Sequence, residues 1–145
     1  MRKIKIFNIL RKMFWLINFL RLFPSIIFLL LSKNKDIISY EVDEYMKELK
    51  INKKTGIIGF IYLMIYYPEF RNVFYYRIGI YSKFIKFLVP PLSTLYIVTE
   101  NIRAGLVICH GFSTIIAAES IGENCRIFQQ VTIGGWGGSL LLEIM

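Results

Sequence analysis

The chain is poor in the residues that hold metals and staple strands. One histidine and two cysteines among 145 residues give a structural zinc site no ligand set, because such a site needs four Cys or His donors. Cys109 and Cys125 form no paired motif, which fits buried thiols better than a disulfide framework. Acidic residues are also scarce, with ten Asp and Glu against eighteen Lys and Arg and a formal net charge of +8. Basic and aromatic residues alternate at Tyr75, Tyr76 and Arg77. They make no dense cluster and accompany no recognition motif, so no nucleic-acid partner is expected. No small-residue cleavage site follows the N-terminal apolar run; Lys33, Asn34, Lys35 and Asp36 do, which argues against a secretory signal.

What the chain has in excess is apolar surface: 55% of residues are hydrophobic and 16% aromatic. The length allows one small domain, and the composition is too apolar for an ordinary soluble one. Residues 1–32 read as a basic, apolar helix kinked near Pro24. Arg2, Lys3, Lys5, Arg11, Lys12 and Arg21 are interleaved there with Ile4, Phe7, Leu10, Phe14 and Trp15. That pattern fits a helix lying in an anionic membrane interface, and equally a helix packed on the rest of the chain or in a subunit interface. A spanning helix is a minority reading, because Arg21 and Pro24 interrupt the run from Met13 to Leu31, whose length would just suffice.

After the polar connector SKNKD, a second helix is expected from about Ile37 to Leu49, with Glu41, Asp43 and Glu44 early and Lys50 near its end, as the macrodipole favours. Gly56 marks the next boundary. The run from Gly56 to Leu88 is apolar on nearly every face, so its helices, separated by Pro68, must be buried against each other, a partner or lipid. Pro90 and Pro91 close the helical part.

From Asn101 to Gly135 the rhythm changes. Aliphatic residues stand at Ile102, Ile108, Ile115, Ile121, Ile127 and Ile133, mostly six apart with small or turn-forming residues between. Neither the three-and-four spacing of a helix nor the alternation of a hairpin strand fits; a hexapeptide-repeat β-helix does, with Ile115 stacked over Ile133. The step of seven between Ile108 and Ile115 marks a loop beside His110, the only histidine. A loop at the sole histidine is where a site would sit.

The stretches GLVICHGFSTII (105–116), SIGENCRI (120–127) and QQVTIG (129–134) resemble, in that order, the serine O-acetyltransferase branch of the left-handed β-helix acyltransferases, especially forms associated with capsule and surface-polysaccharide synthesis. Residues 66–79, YYPEFRNVFYYRIG, look like the helical lead-in of the same enzymes. The resemblance implies acetyl transfer from acetyl-CoA to a hydroxyl of serine or of a sugar in a homotrimer, with His110 as general base. Imidazole titrates near neutral pH and can take a hydroxyl proton as attack on the thioester begins. It also implies that backbone near Thr132, Gly134 and Gly135 receives the donor, since glycine permits close approach.

Two positions depart from the family. Where its members carry an aspartate before the histidine, this chain has Cys109, which weakens serine as acceptor and favours a sugar. Where they carry an aspartate about fifteen residues earlier, it offers Leu95 and, displaced, Glu100. The residue that would orient His110 is unassigned, with Glu100 and Glu119 the nearest acidic candidates by sequence and Glu100 carried as the candidate catalytic carboxylate.

After Gly138 the repeat gives way to SLLLEIM, and the chain reads as C-terminally truncated. The expected fold is α+β: a helical, membrane-associated or packing region (1–91), an incomplete left-handed parallel β-helix (92–138), and a tail (139–145) foreign to the fold. Acetyl-CoA is a cytoplasmic donor, which places the chain in the cytoplasm, on the inner face of the membrane where it meets lipid. The alternative is an inactive remnant or assembly partner that docks on a complete transferase.

Overall fold

The computed structural model describes residues 2–51, 55–134 and 141–142, the last two and residues 2–5 as backbone only. Gly135 and most of the 139–145 tail lie outside the described residues. Helices come first: α1 (Arg2–Leu31), α2 (Lys35–Glu48), α3 (Gly56–Tyr66) and α4 (Pro68–Ile78), then a 3-10 turn, Gly79–Phe84.

The helix α1 runs unbroken through Pro24, although that residue has no N–H to offer the carbonyl four residues back. Its buried positions are Asn18, Leu22, Ser25 and Leu29, spaced by four, three and four so that they share one stripe. Outside that stripe large apolar side chains face outward, among them Phe7, Leu10, Trp15, Leu20 and Leu31. Among the described side chains, apolar groups therefore lie on the outward side of the helix as well as along its buried stripe.

The start of α2 has Asp36 in its first turn and its end has Lys47 in the last, both favourable to the dipole. Tyr67, preceding Pro68, is extended (φ −122°, ψ 91°). A residue before proline avoids helical geometry, which ends α3, while Pro68 opens α4 at a position where its missing N–H costs nothing. Phe60 of α3 meets Phe70 and Phe74 of α4 edge-on at 6.0 and 5.0 Å, and Tyr45 of α2 meets Phe70 at 5.1 Å. These rings lock the three helices together, each such pair adding about 0.5–1.5 kcal/mol beyond the area it buries.

Among the described residues eight short strands follow: β1 (Leu95–Ile97), β2 (Asn101–Ile102), β3 (Val107–Cys109), β4 (Thr114–Ile116), β5 (Ser120–Ile121), β6 (Arg126–Phe128), β7 (Thr132–Ile133) and β8 (Leu141–Leu142). They pair in parallel in three small sheets, ordered β1-β4-β7, β2-β5-β8 and β3-β6. Leu95 stands beside Thr114, Asn101 beside Ser120 and Val107 beside Arg126.

The expectation of an α+β chain built on a left-handed parallel β-helix is corrected by this arrangement. Four helices dominate the described residues, and the repeat yields strands of only two or three residues in small separate sheets rather than a solenoid. The physical reason is depth. A solenoid draws its stability from many stacked repeats, whereas β3-β6 holds two strands and the other sheets three. Helices supply the core instead: Phe60, Leu63, Met64, Phe70, Val73 and Phe74 are all essentially inaccessible. The expected stacking of Ile115 over Ile133 is also corrected, since Ile116 pairs with Ile133 and is buried while Ile115 is exposed. The His110 loop takes up one residue more than the spacing suggested.

A buried ion pair between α4 and α2 also reaches the strand layer. Arg77 of α4 donates from Nε and Nη2 to the Glu41 carboxylate of α2, with Nη2 at 2.5 Å. Its guanidinium also reaches the carbonyls of Ile102 and Arg103 at 2.7 Å, while Leu106 N–H donates to Glu41 at 3.3 Å. Burial raises the Glu41 carboxyl above its ordinary range, against the pull of Arg77. A buried pair of this kind persists because its remaining donors and acceptors are also satisfied.

Candidate functional site

His110 follows β3 in a turn with left-handed backbone, φ 58°, and Ser113 three residues on has φ 52°. Non-glycine residues rarely adopt this geometry, and where they do the surrounding structure must hold them. Two contacts hold this turn. Phe112 N–H donates back to the His110 carbonyl, and Gln130 N–H donates to Phe112 O at 3.0 Å. Gly111 is required between them, since a Cβ there would stand 2.7 Å from Ile108 Cγ2 and 3.0 Å from Leu95 Cδ2.

The exposed imidazole borders a cleft of about 160 Å³ formed with Tyr45, Glu48, Tyr67, Glu69, Cys109 and Phe128. Each wall has a structural cause. Tyr45, from α2, accepts the Ile108 N–H at 2.9 Å and so fixes β3 against the helix; burial pushes its phenol well above the usual range. Glu48, at the end of α2, receives Arg126 Nε at 3.2 Å, and the same guanidinium reaches Glu44 at 2.7 Å. Glu69 sits in the first turn of α4, where the helix dipole favours a negative charge. It is 9% exposed, and its Cβ lies 3.5 Å from where a Gly111 Cβ would be.

Burial, with Glu48 adding to it, raises the Cys109 thiol above its ordinary value, and burial does the same for Cys125. Both cysteines are free. A protonated thiol is a poor nucleophile, so Cys109 acts as a wall of the cleft.

Not every residue singled out by the sequence gathers here. Glu100 lies in the turn between β1 and β2, where its backbone carbonyl accepts Tyr76 Oη at 2.6 Å. It lines a separate open groove of about 1220 Å³ with Arg77, Arg103 and Asn124. His110 belongs to the turn between β3 and β4, so the two occupy different corners. Glu119, exposed, lines a third depression with Glu100 and Ala117.

Thr132 and Gly134 fall on or just after β7, the outer strand of its sheet, and neither lines the His110 cleft. The carbonyls of Val131 and Ile133 accept from Ile115 and Ala117. By the alternation of a parallel ladder, the backbone groups of Thr132 and Gly134 then face the edge that no described strand covers. Gly134 has φ 140° and passes so close to Ala117 O that a Cβ would stand 2.7 Å from it.

Sequence reasoning passed over Glu69. The available signal was a carboxylate directly after Pro68, in an otherwise apolar and aromatic run. Among the described residues no cluster of three His, Cys, Asp or Glu forms a metal site. The stretch Ile6–Leu31 of α1 is long and apolar enough to cross a membrane. Searches against protein-family models, curated proteins and solved structures find no match for this chain.

Proposed function

We propose that this chain is an acetyl-CoA-dependent O-acetyltransferase, similar to the serine acetyltransferase branch, in which His110 removes the proton of an acceptor hydroxyl. The observation that carries the reading is the cleft itself. The only histidine is held in an unusual backbone conformation on a turn fixed by its neighbours, and it opens onto a space walled by two tyrosines and two carboxylates. The hydroxyl oxygen attacks the thioester carbonyl, the C–S bond breaks, and the proton taken by imidazole leaves with the coenzyme thiolate as a thiol. Glu69 replaces Glu100 as the carboxylate that positions His110. The edge at Thr132 and Gly134 receives the donor arm, completed in a homotrimer.

The acceptor is a sugar hydroxyl of a surface-polysaccharide precursor rather than free serine. Cys109, protonated and uncharged, offers no counter-ion to an amino acid's ammonium. The chain works on the cytoplasmic face of the membrane, held there by α1. Acetyl-CoA-dependent thiol release by the lipid-reconstituted chain tests the reading. His110→Ala should lower it by about 10²–10⁴-fold, and Glu69→Gln should lower kcat with little change in KM for acetyl-CoA. Full turnover in His110→Ala sinks the assignment.

A second reading is favoured by the open outer edges of β6 and β7 among the described residues: a non-catalytic assembly partner that docks on a complete transferase. It predicts no thiol release from the chain alone.

A further inference from the structure

The 3-10 turn after α4 and the loop that follows carry an exposed apolar patch that the acetyl-transfer reading does not use. Ile80, Tyr81, Phe84 and Phe87 are 60, 55, 67 and 73% exposed. Lys83 and Lys86, also exposed, lie between them. The patch is not a loose loop, because Ile85 and Val89, alternating with it, are each only 2% exposed and fasten the segment to the core. Ile85 N–H and Lys86 N–H both donate to Ser82 O, at 3.1 and 3.0 Å, which holds the turn in shape. Apolar surface held open to water on an ordered segment marks a contact surface.

Its place in the fold indicates the occupant. Tyr81 stacks on Phe28 of α1, with ring centres 5.7 Å apart, and Arg21 Nε donates to Leu88 O at 2.9 Å. The patch is therefore continuous with the outward apolar face of α1. Lysines interleaved with aromatics suit a leaflet whose phosphates meet the ammonium groups while the rings enter the acyl boundary. A second copy seated symmetrically on the same patch would instead bring Lys83 and Lys86 against themselves.

We propose that residues 79–87 and the outward face of α1 form one docking surface for an anionic lipid bilayer. Ile80, Tyr81, Phe84 and Phe87 enter the leaflet, and Lys83 and Lys86 bind its phosphates. The inference rests on the membrane reading of α1, so its test reads the two elements separately.

The full chain, freed of thiols by Cys109→Ser and Cys125→Ala, is reconstituted in phosphatidylcholine vesicles containing phosphatidylglycerol. It carries one nitroxide at a time on Phe84→Cys, Phe87→Cys, Leu20→Cys for α1, or Glu123→Cys as the aqueous reference. Labels at 84 and 87 should match the label at 20, with oxygen contact raised and water-soluble nickel contact lowered several-fold against the label at 123. Lys83→Glu with Lys86→Glu should restore much of the nickel contact at 87; an unchanged value would overturn the anionic preference. Lipid contact at 20 with aqueous labels at 84 and 87 overturns the inference and leaves α1 as an anchor, whereas an aqueous label at 20 removes both. Spin broadening at 87 that vanishes on dilution with unlabelled chain would mean that a second copy covers the patch, and would also overturn it. In the unsubstituted chain, amide exchange over residues 79–89 should slow on adding the anionic vesicles; unchanged exchange counts against the proposal.

Discussion

Replacing Arg77 by methionine removes the cation paired with Glu41, a carboxylate 1% exposed, and the donors to the Ile102 and Arg103 carbonyls. Methionine fills most of the volume, so the cost is electrostatic. Breaking one side of a buried ion pair costs about 3–5 kcal/mol, because the surviving charge is stranded in the core. At roughly 4 °C per kcal/mol for a domain of this size, Tm should fall by about 12–20 °C. Part of that loss is the stranded charge and part is the unpaired carbonyls. Glu41→Leu in the same chain removes the charge while leaving those carbonyls and the Leu106 N–H unpaired, so it should recover about 1–3 kcal/mol of the loss. Equilibrium urea unfolding of the lipid- or detergent-bound chain, followed by far-UV circular dichroism, measures both changes at constant m. A cost below about 1 kcal/mol for Arg77→Met, or a double variant weaker than the single one, would refute the view that this pair ties the helices to the strands.

Three further outcomes follow from the geometry around the cleft. Tyr45→Phe leaves the Ile108 N–H without its acceptor and should cost about 1–3 kcal/mol in urea unfolding; a neutral effect would show that β3 does not depend on α2. Gly111→Ala places a Cβ against Ile108 and Leu95 and should destabilise by about 1–3 kcal/mol as the core shifts, while moving the His110 turn enough to suppress thiol release; unchanged stability and turnover would refute the close fit. The Glu44 carboxyl is held below its ordinary value by Lys47, with Arg126 adding to the effect against the cost of burial. Its stabilising contribution is therefore complete above the unfolded value of 4.5 and is lost as pH falls through the lowered folded value. The urea midpoint should drop less between about pH 6 and about pH 3 in Glu44→Gln than in the unsubstituted chain, and identical pH profiles would refute this.

Much of the local structure was legible in the residues. Gly56 and Pro68 mark the limits of α3, and the helix expected from Ile37 to Leu49 exists as Lys35–Glu48. The six-residue aliphatic rhythm places a strand at each of Ile102, Ile108, Ile115, Ile121, Ile127 and Ile133. Architecture was not legible from that rhythm, because spacing reports where strands fall and not how many layers they build. The pairing of Ile116 with Ile133 was hidden for a related reason: adjacent isoleucines at 115 and 116 satisfy the pattern equally, and only packing chooses between them. At the site, His110 stood out by being unique. Glu100 lines a different groove from His110, because nearness in sequence does not survive a turn, whereas Glu69, 41 positions before His110, shares its cleft from a helix that the Tyr45 and Phe70 contact holds near β3.

The long-range bond from Arg21 to Leu88 spans 67 positions, and it sets an order of events during synthesis. At about 5–20 residues per second, Arg21 of α1 waits roughly 3–13 s for the Leu88 carbonyl to emerge. Over that interval α2 and α3 emerge and come to lie against α1, while its outward apolar side chains stay uncovered by the chain. On the proposed lipid-docking reading, a nearby bilayer shelters that outward face while the later helices assemble on the other. On that same reading, production without membranes leaves the outward face bare, and the expected product is aggregate rather than a folded soluble form.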